Sequence, residues 1–118
     1  MVEPQSSPDS PRTGVEFVET FLTNDADIDQ ASRSLKAMAH PLRLKILCIL
    51  CRTGEIGVQE LVDRVGTSQS NISQHLSILR DKGILECRKE ANKVYYRIRD
   101  PNIFKLMTSL RSAFCERP

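Results

Sequence analysis

The sequence predicts a mainly helical fold completed by a single β-hairpin. Three observations carry this expectation. Apolar residues recur at helical spacing in five segments between Asp27 and the C-terminal end. The period changes to two after Gly83, over two short runs rich in aromatic and β-branched residues. The glycines and prolines from Pro41 onward fall between these segments, where a chain must turn, rather than inside them.

The elements follow in order. Residues 1–13 hold Pro4, Pro8 and Pro11 among Ser6, Ser7 and Ser10, a composition that resists packing. Residues 15–22 have the pattern of a short, weak helix. Residues 1–24 are therefore expected to be a disordered or weakly ordered tail, and residues 25–118 the folded domain. In the first helix, Asp27 to Met38, Ile28, Ala31, Leu35 and Met38 form the apolar stripe, and Asp25, Asp27 and Asp29 lie near its positive N-terminal end. His40-Pro41 breaks it, and Pro41 suits the first turn of the next helix, where its missing N–H costs nothing. That second helix, Pro41 to about Arg52, is apolar around most of its circumference and should be the central core helix. Gly54 and Gly57 end it. A third helix runs from Val58 to Val65 and Gly66 closes it. Ser68 is a natural N-cap for a fourth helix, which Gly83 ends. Residues 84–89 and 94–99 read as two strands around a tip at 90–93, and a last helix follows Pro101 with Ile103, Leu106, Met107, Leu110 and Phe114 as its stripe.

The fourth helix is the most informative segment. Ile72, Leu76 and Leu79 fall at i, i+4 and i+7 on one face, while Ser70, Ser73, Gln74, Ser77 and Arg80 cover the other. Short hydrogen-bonding side chains without carboxylates suit a surface that meets phosphate oxygens and base edges. The order helix, helix, short helix, Gly-containing turn, polar helix, basic hairpin is that of a winged helix-turn-helix, with Arg88, Lys89, Lys93, Arg97 and Arg99 on the hairpin. Charge agrees. The formal net charge is only +2, yet residues 1–40 carry 3 Lys/Arg against 7 Asp/Glu while residues 41–99 carry 11 against 6. The basic excess is concentrated where the candidate recognition helix lies.

Composition excludes other classes. With 40% hydrophobic and 27% charged residues a folded soluble domain is expected, with a core that dimer burial would enlarge. No apolar run reaches the length of a membrane span, and the N-terminal residues do not read as a signal peptide, so a cytoplasmic protein is expected. The four cysteines then point to metal or redox use rather than structural disulfides. There is no Gly-rich phosphate loop, no Ser/His/Asp set and no paired carboxylates, so no enzyme activity is expected. Cys48-x-x-Cys51 lies inside an apolar helix, not in the strand context of a thioredoxin-like motif. A winged-helix protein-interaction module without DNA binding is the alternative class. The basic hairpin and the carboxylate-poor helix argue against it.

Residues 35–47 (Leu-Lys-Ala-Met-Ala-His-Pro-Leu-Arg-Leu-Lys-Ile-Leu), 68–76 (Ser-Gln-Ser-Asn-Ile-Ser-Gln-His-Leu) and 79–85 (Leu-Arg-Asp-Lys-Gly-Ile-Leu) together resemble the ArsR/SmtB family of bacterial repressors, over roughly residues 27–115. The resemblance implies a homodimer whose first and last helices form the interface, here through Ile28, Leu35, Ile103, Met107, Leu110 and Phe114. A two-fold dimer presents two recognition helices to an inverted-repeat operator in double-stranded DNA. It also implies that Ser68, Gln69, Ser70, Ser73, Gln74 and His75 lie at or near the DNA, with Arg88, Lys89, Asn92 and Lys93 on the wing. Alternatives stand beside these roles. Ser68 is also a helix cap, His75 beside Leu76 also suits a partly buried structural site, Ser77 also suits a solvated one, and Arg43 could meet phosphate or a carboxylate.

Family members commonly sense metals, but the usual sites are missing. The third helix has no Cys-x-Cys pair at its start, and the last helix has no His; the chain's two histidines are His40 and His75. Cys48 on the core helix and Cys115 near the end of the last helix resemble instead the branch that senses reactive sulfur or oxidants through two cysteines, the HlyU-type virulence regulators among them. The resemblance implies that oxidation or (poly)sulfide bridging of that pair lowers DNA affinity, with no cofactor. A thiolate attacks the sulfur or oxygen electrophile and a second thiol resolves the adduct. Arg43, Lys45 and Arg52 are near Cys48 in sequence and could supply positive charge. Cys48, in the run Leu-Cys-Ile-Leu-Cys, also reads as an ordinary core residue. Cys51 could replace it, or complete a three-sulfur site with Cys48 and Cys115 for As(III), Cd(II) or Zn(II). Cys87 is expected to be a packing residue of the wing.

Overall fold

A computed structural model describes residues 22–115 of the chain. The elements are α1 (Asp25–Met38), α2 (Pro41–Thr53), β1 (Glu55–Gly57), α3 (Val58–Val65), α4 (Gln69–Asp81), β2 (Leu85–Glu90), β3 (Lys93–Ile98) and α5 (Pro101–Phe114). The fold is mainly helical with a β-hairpin wing, as the sequence predicts. The expected tail falls mostly outside the described residues, as does nearly all of the helix expected at 15–22. Among the described residues no helix is long and apolar enough to cross a membrane.

The chain divides into two compact units, with the boundary inside α1 between Arg33 and Ser34. In the first, α1 begins at Asp25, two residues before its expected start, because the Asn24 side chain accepts from the Ala26 and Asp27 N–H groups at 2.7 and 3.4 Å. Its exposed face carries the ion pair Arg33–Asp29.

The second unit is built around α2. Ile46, Leu47, Ile49 and Leu50 are buried, and the helix packs against α3, α4, α5, β1 and β3. Its circumference is apolar because it has neighbours on nearly every side. Ala37 and Met38 from the end of α1 join this core, with Leu61, Ile72, Leu76, Leu79, Ile84, Leu85, Tyr96 and Met107. Gly54 ends α2 at φ 81°, its N–H bonded to the Leu50 carbonyl.

β1 is not foreseen by the periodicity. A strand of three residues that ends on Gly57 is too short to show a period, and its conformation comes from pairing Ile56 with Tyr96 on β3. The sheet is antiparallel in the order β1-β3-β2. The hairpin register runs from Leu85↔Ile98 to Glu90↔Lys93, which leaves only Ala91 and Asn92 in the turn. Ala91 holds φ at 57°, a conformation that favours glycine or asparagine. The last helix is capped by Asp100, whose carboxylate accepts from the Asn102 N–H at 2.9 Å, followed by Pro101 in the first turn.

Candidate nucleic-acid interface and cysteine sites

α3 and α4 form the helix-turn-helix. Gly66 adopts the left-handed conformation (φ 81°, ψ 34°) and bonds its N–H back to the Val62 carbonyl, ending α3. Two residues later Ser68 starts α4, its Oγ accepting from the Asn71 N–H at 3.1 Å. The Asn71 amide donates to Thr67 Oγ1 at 3.1 Å, which holds the turn from the other side. Lys82, Gly83 and Ile84 return their N–H groups to the Ile78, Arg80 and Leu79 carbonyls and close the helix.

The split of faces on α4 is as expected. Ile72, Leu76 and Leu79 are buried against α2 and α3, and Ser68, Gln69, Ser70, Ser73 and Gln74 are exposed. The first acidic residue of the helix is Asp81 at its last position, so the exposed N-terminal half presents free N–H groups and neutral polar side chains.

His75 corrects the expectation that it lies on the DNA face. It is 9% exposed, its ring 4.5 Å from that of His40, and its Nδ1 accepts a hydrogen bond from Arg43 Nε at 3.2 Å. Burial, then His40, then Arg43 push its pKa below the usual imidazole value. Among the described residues Arg43 pairs with no carboxylate: its Nη1 donates to the Ala37 carbonyl at 2.8 Å.

On the wing, strand alternation and the cross-strand pairs separate two faces. Leu85, Cys87 and Lys89 share the inner face with Val94, Tyr96 and Ile98. Glu86, Arg88 and Glu90 share the outer face with Lys93, Tyr95 and Arg97. Lys89 and Lys93 therefore project to opposite sides. Arg88 is exposed and held in surface ion pairs. Its guanidinium donates to both Glu55 oxygens at 2.9 Å and to Glu90 at 2.6 Å, and it lies over the Tyr95 ring at 4.7 Å. The hydrogen bond from Arg88 holds the Glu55 carboxyl below the usual carboxylate range. Arg97 is bonded to Glu86 in the same ladder. Lys89, Asn92 and Lys93 are exposed.

The cysteines are placed differently from a core reading. Cys48 is exposed on α2, on the side its buried neighbours Leu47 and Ile49 leave to solvent, and Cys115 is exposed at the end of α5. α2 and α5 pack against each other. Cys51 is half-buried; burial, and then the nearby Cys48, raise its thiol pKa. Among the described residues no three His, Cys, Asp or Glu side chains converge on a possible metal site, so Cys48, Cys51 and Cys115 do not assemble one within a protomer. Cys87 is exposed rather than packed, although it stands opposite the buried Tyr96, and it lies close to Arg80.

Of the residues expected at the dimer interface, Ile28 is 46% exposed, Leu35 50% and Phe114 76%. Phe104, which lies off the apolar stripe of α5, is also exposed. Ile103 and Leu110 are half-buried against the core. Met107 is 6% exposed and belongs to the protomer's own core, which corrects its assignment to the interface.

Residues 40–86 match the family model described as bacterial regulatory protein, arsR family. The chain is 34% identical over 87 residues to the biofilm growth-associated repressor of Xylella fastidiosa, covering 74% of this chain and 75% of that protein. Its fold is similar to the solved structure of reduced HlyU from Vibrio cholerae, with TM-score 0.72, 38% identity and coverage of 78% and 96%. It is also similar to the homodimeric winged helix-turn-helix DNA-binding domain of Mb0332 from Mycobacterium bovis, with TM-score 0.70, 31% identity and coverage of 77% and 86%.

Proposed function

Because the chain belongs to the arsR family of bacterial transcriptional regulators, we propose that it is a homodimeric repressor whose operator affinity is switched by oxidation or sulfur bridging of Cys48 and Cys115. The observation that carries this reading is the exposure of both thiols on two helices that pack together. An exposed thiol can meet a persulfide or peroxide, which a core cysteine cannot. The similarity to a repressor and to a regulator described in its reduced form supports the same reading.

In this reading α4 lies in the major groove, with Gln69, Ser70, Ser73 and Gln74 toward base edges and phosphates, and Lys89, Asn92 and Lys93 reach the flanking backbone. Dimerisation covers Ile28, Leu35, Phe104 and Phe114 with a second copy, which removes large apolar side chains from water. A bridge between α2 and α5 alters the helix that backs α4, and so the spacing of two recognition helices on an inverted repeat.

A second reading keeps the thiols but changes the ligand. Cys51 lies close enough to Cys48 to shift in response to it, so a soft metal or metalloid bound by this pair is the competitor.

The test is mass spectrometry and operator binding after separate exposure of the reduced protein to a persulfide donor, hydrogen peroxide and As(III). The expected result is a Cys48–Cys115 crosslink with release of DNA, abolished by Cys48→Ser or Cys115→Ser. A full response in both variants overturns the two-cysteine reading.

A further inference from the structure

We infer that Arg43 is a positioning residue for DNA binding: through His75 it ties the recognition helix to the core helix, and a proton on His75 breaks the tie. The inference rests on the reading of α4 as the DNA-binding helix.

One planar guanidinium joins three helices. Arg43 stands in the first turn of α2, donates through Nη1 to the Ala37 carbonyl at the end of α1, and donates through Nε to His75 Nδ1 in the middle of α4. Both donors belong to one rigid planar group, so the two bonds together fix the place of His75, and with it α4, relative to α2 and the end of α1. The burial of Ile72, Leu76 and Leu79 holds α4 on the core without direction, and the two polar bonds add direction to it. Ser73 and Gln74 immediately precede His75 and are exposed. A shift of the His75 ring moves the side chains offered to DNA.

The bond also specifies a protonation state. Nδ1 accepts, so His75 is neutral and carries its proton on Nε2. A second proton on Nδ1 removes the acceptor and sets an imidazolium against the guanidinium. The charged and titratable groups acting on the ring are His40, ahead of α2, and Arg43 on α2; α3 and β2, which also pack on α4, supply none of the causes of its shift. Among the described residues His40 makes no hydrogen bond to His75; its own Nδ1 accepts from the Leu42 N–H as the cap of α2. Burial and both neighbours favour the neutral ring, so the tie is whole at neutral pH and opens on acidification.

The test uses the full chain and a fluorescent duplex that the wild-type protein selects from a random-sequence pool, with affinity measured from about pH 5.5 to about pH 7.5 at constant ionic strength. Wild-type affinity is expected to fall as the pH drops from about 7.5 to about 5.5, by at most about tenfold, since a ring whose pKa lies below the ordinary imidazole value of about 6.5 takes up its proton only toward the acid end of the range. His75→Asn retains an acceptor that does not titrate here and should flatten the profile; an unchanged profile overturns the inference. Arg43→Gln should weaken binding about tenfold at neutral pH with the salt dependence unchanged, because no phosphate contact is lost. A fall of about one in the slope of log affinity against log salt would make Arg43 a phosphate contact and overturn the inference. NMR titration of the His75 ring gives a readout independent of DNA. Its pKa should rise in Arg43→Gln, and no change would sink the coupling even if no duplex were selected. Failure of the wild-type protein to select any duplex at neutral pH would instead reject the DNA-binding reading.

Discussion

Arg88 grips Glu55 with both arms of its guanidinium, Nε and Nη2 each 2.9 Å from a carboxylate oxygen. The pair joins β2 to β1, two strands that are not neighbours, across the top of β3. Both groups are on the surface, where an isolated ion pair contributes little to stability. The expected consequence of losing it is positional. Arg88→Ala should weaken DNA binding only modestly and leave its salt dependence unchanged, whereas Lys89→Ala should lower the slope of log affinity against log salt by about one. Anisotropy titrations at several salt concentrations separate the two.

Ser68 separates helix capping from DNA contact. Ser68→Ala removes the acceptor for the Asn71 N–H and should cost about 1 kcal/mol of stability. Ser68→Asp keeps the cap and adds a favourable charge at the helix N-terminus, so its melting temperature should match that of the wild type. Its DNA affinity should still fall, since a carboxylate then faces phosphate. An Asp variant that binds DNA as well as the wild type would place Ser68 away from the interface.

Ala91 holds a positive φ at the wing tip. Ala91→Gly should stabilise the protein by up to about 1 kcal/mol by relieving the clash of Cβ with the backbone. Urea denaturation measures this; a destabilised variant would show that the turn does not hold this conformation in solution.

Stability should depend on pH through His75. Its folded pKa is depressed below the unfolded value of about 6.5, so its contribution is complete above that pH. Below it the unfolded chain takes up a proton that the folded ring resists, and stability falls as pH drops toward the folded value. The denaturation midpoint should decline over this window in the wild type and less in His75→Asn.

Phe114 and Met107 share one helix but should behave oppositely. Phe114→Glu should weaken self-association in sedimentation experiments with little effect on the protomer's core, because the ring is exposed. Met107→Ala should instead cost about 2–5 kcal/mol of folding stability, because it opens a cavity in the core. A dimer unaffected by Phe114→Glu would reject α5 as an interface.

The elements that were legible in the sequence are those with local causes. Gly54, Gly66 and Gly83 mark helix ends through backbone conformations that other residues resist, and Ser68 marks a start through its own hydroxyl. The spacing of Ile72, Leu76 and Leu79 similarly assigns the buried face of α4 without reference to any partner. β1 was not legible, because Glu55–Gly57 becomes a strand only through β3. Asn24 and Asp100 are caps of the residue types that mark a helix start locally.

By itself the sequence determined the order and type of the main elements, the apolar and polar faces of α4 and the basic bias of its region, because periodicity, capping and charge are local properties. Tertiary structure alone decided which polar residues are spent inside the molecule. His75 sits among exposed polar neighbours in sequence yet turns inward to Arg43, and Arg88 looks like a free cation until Glu55 and Glu90 take its donors. It likewise left Cys48 in water within an apolar run and drew Met107 out of an interface into the core. The physical reason is the same in each case. A side chain's partner depends on which elements meet, and residues as far apart as 43 and 75 or 55 and 88 have no local pattern that announces their meeting.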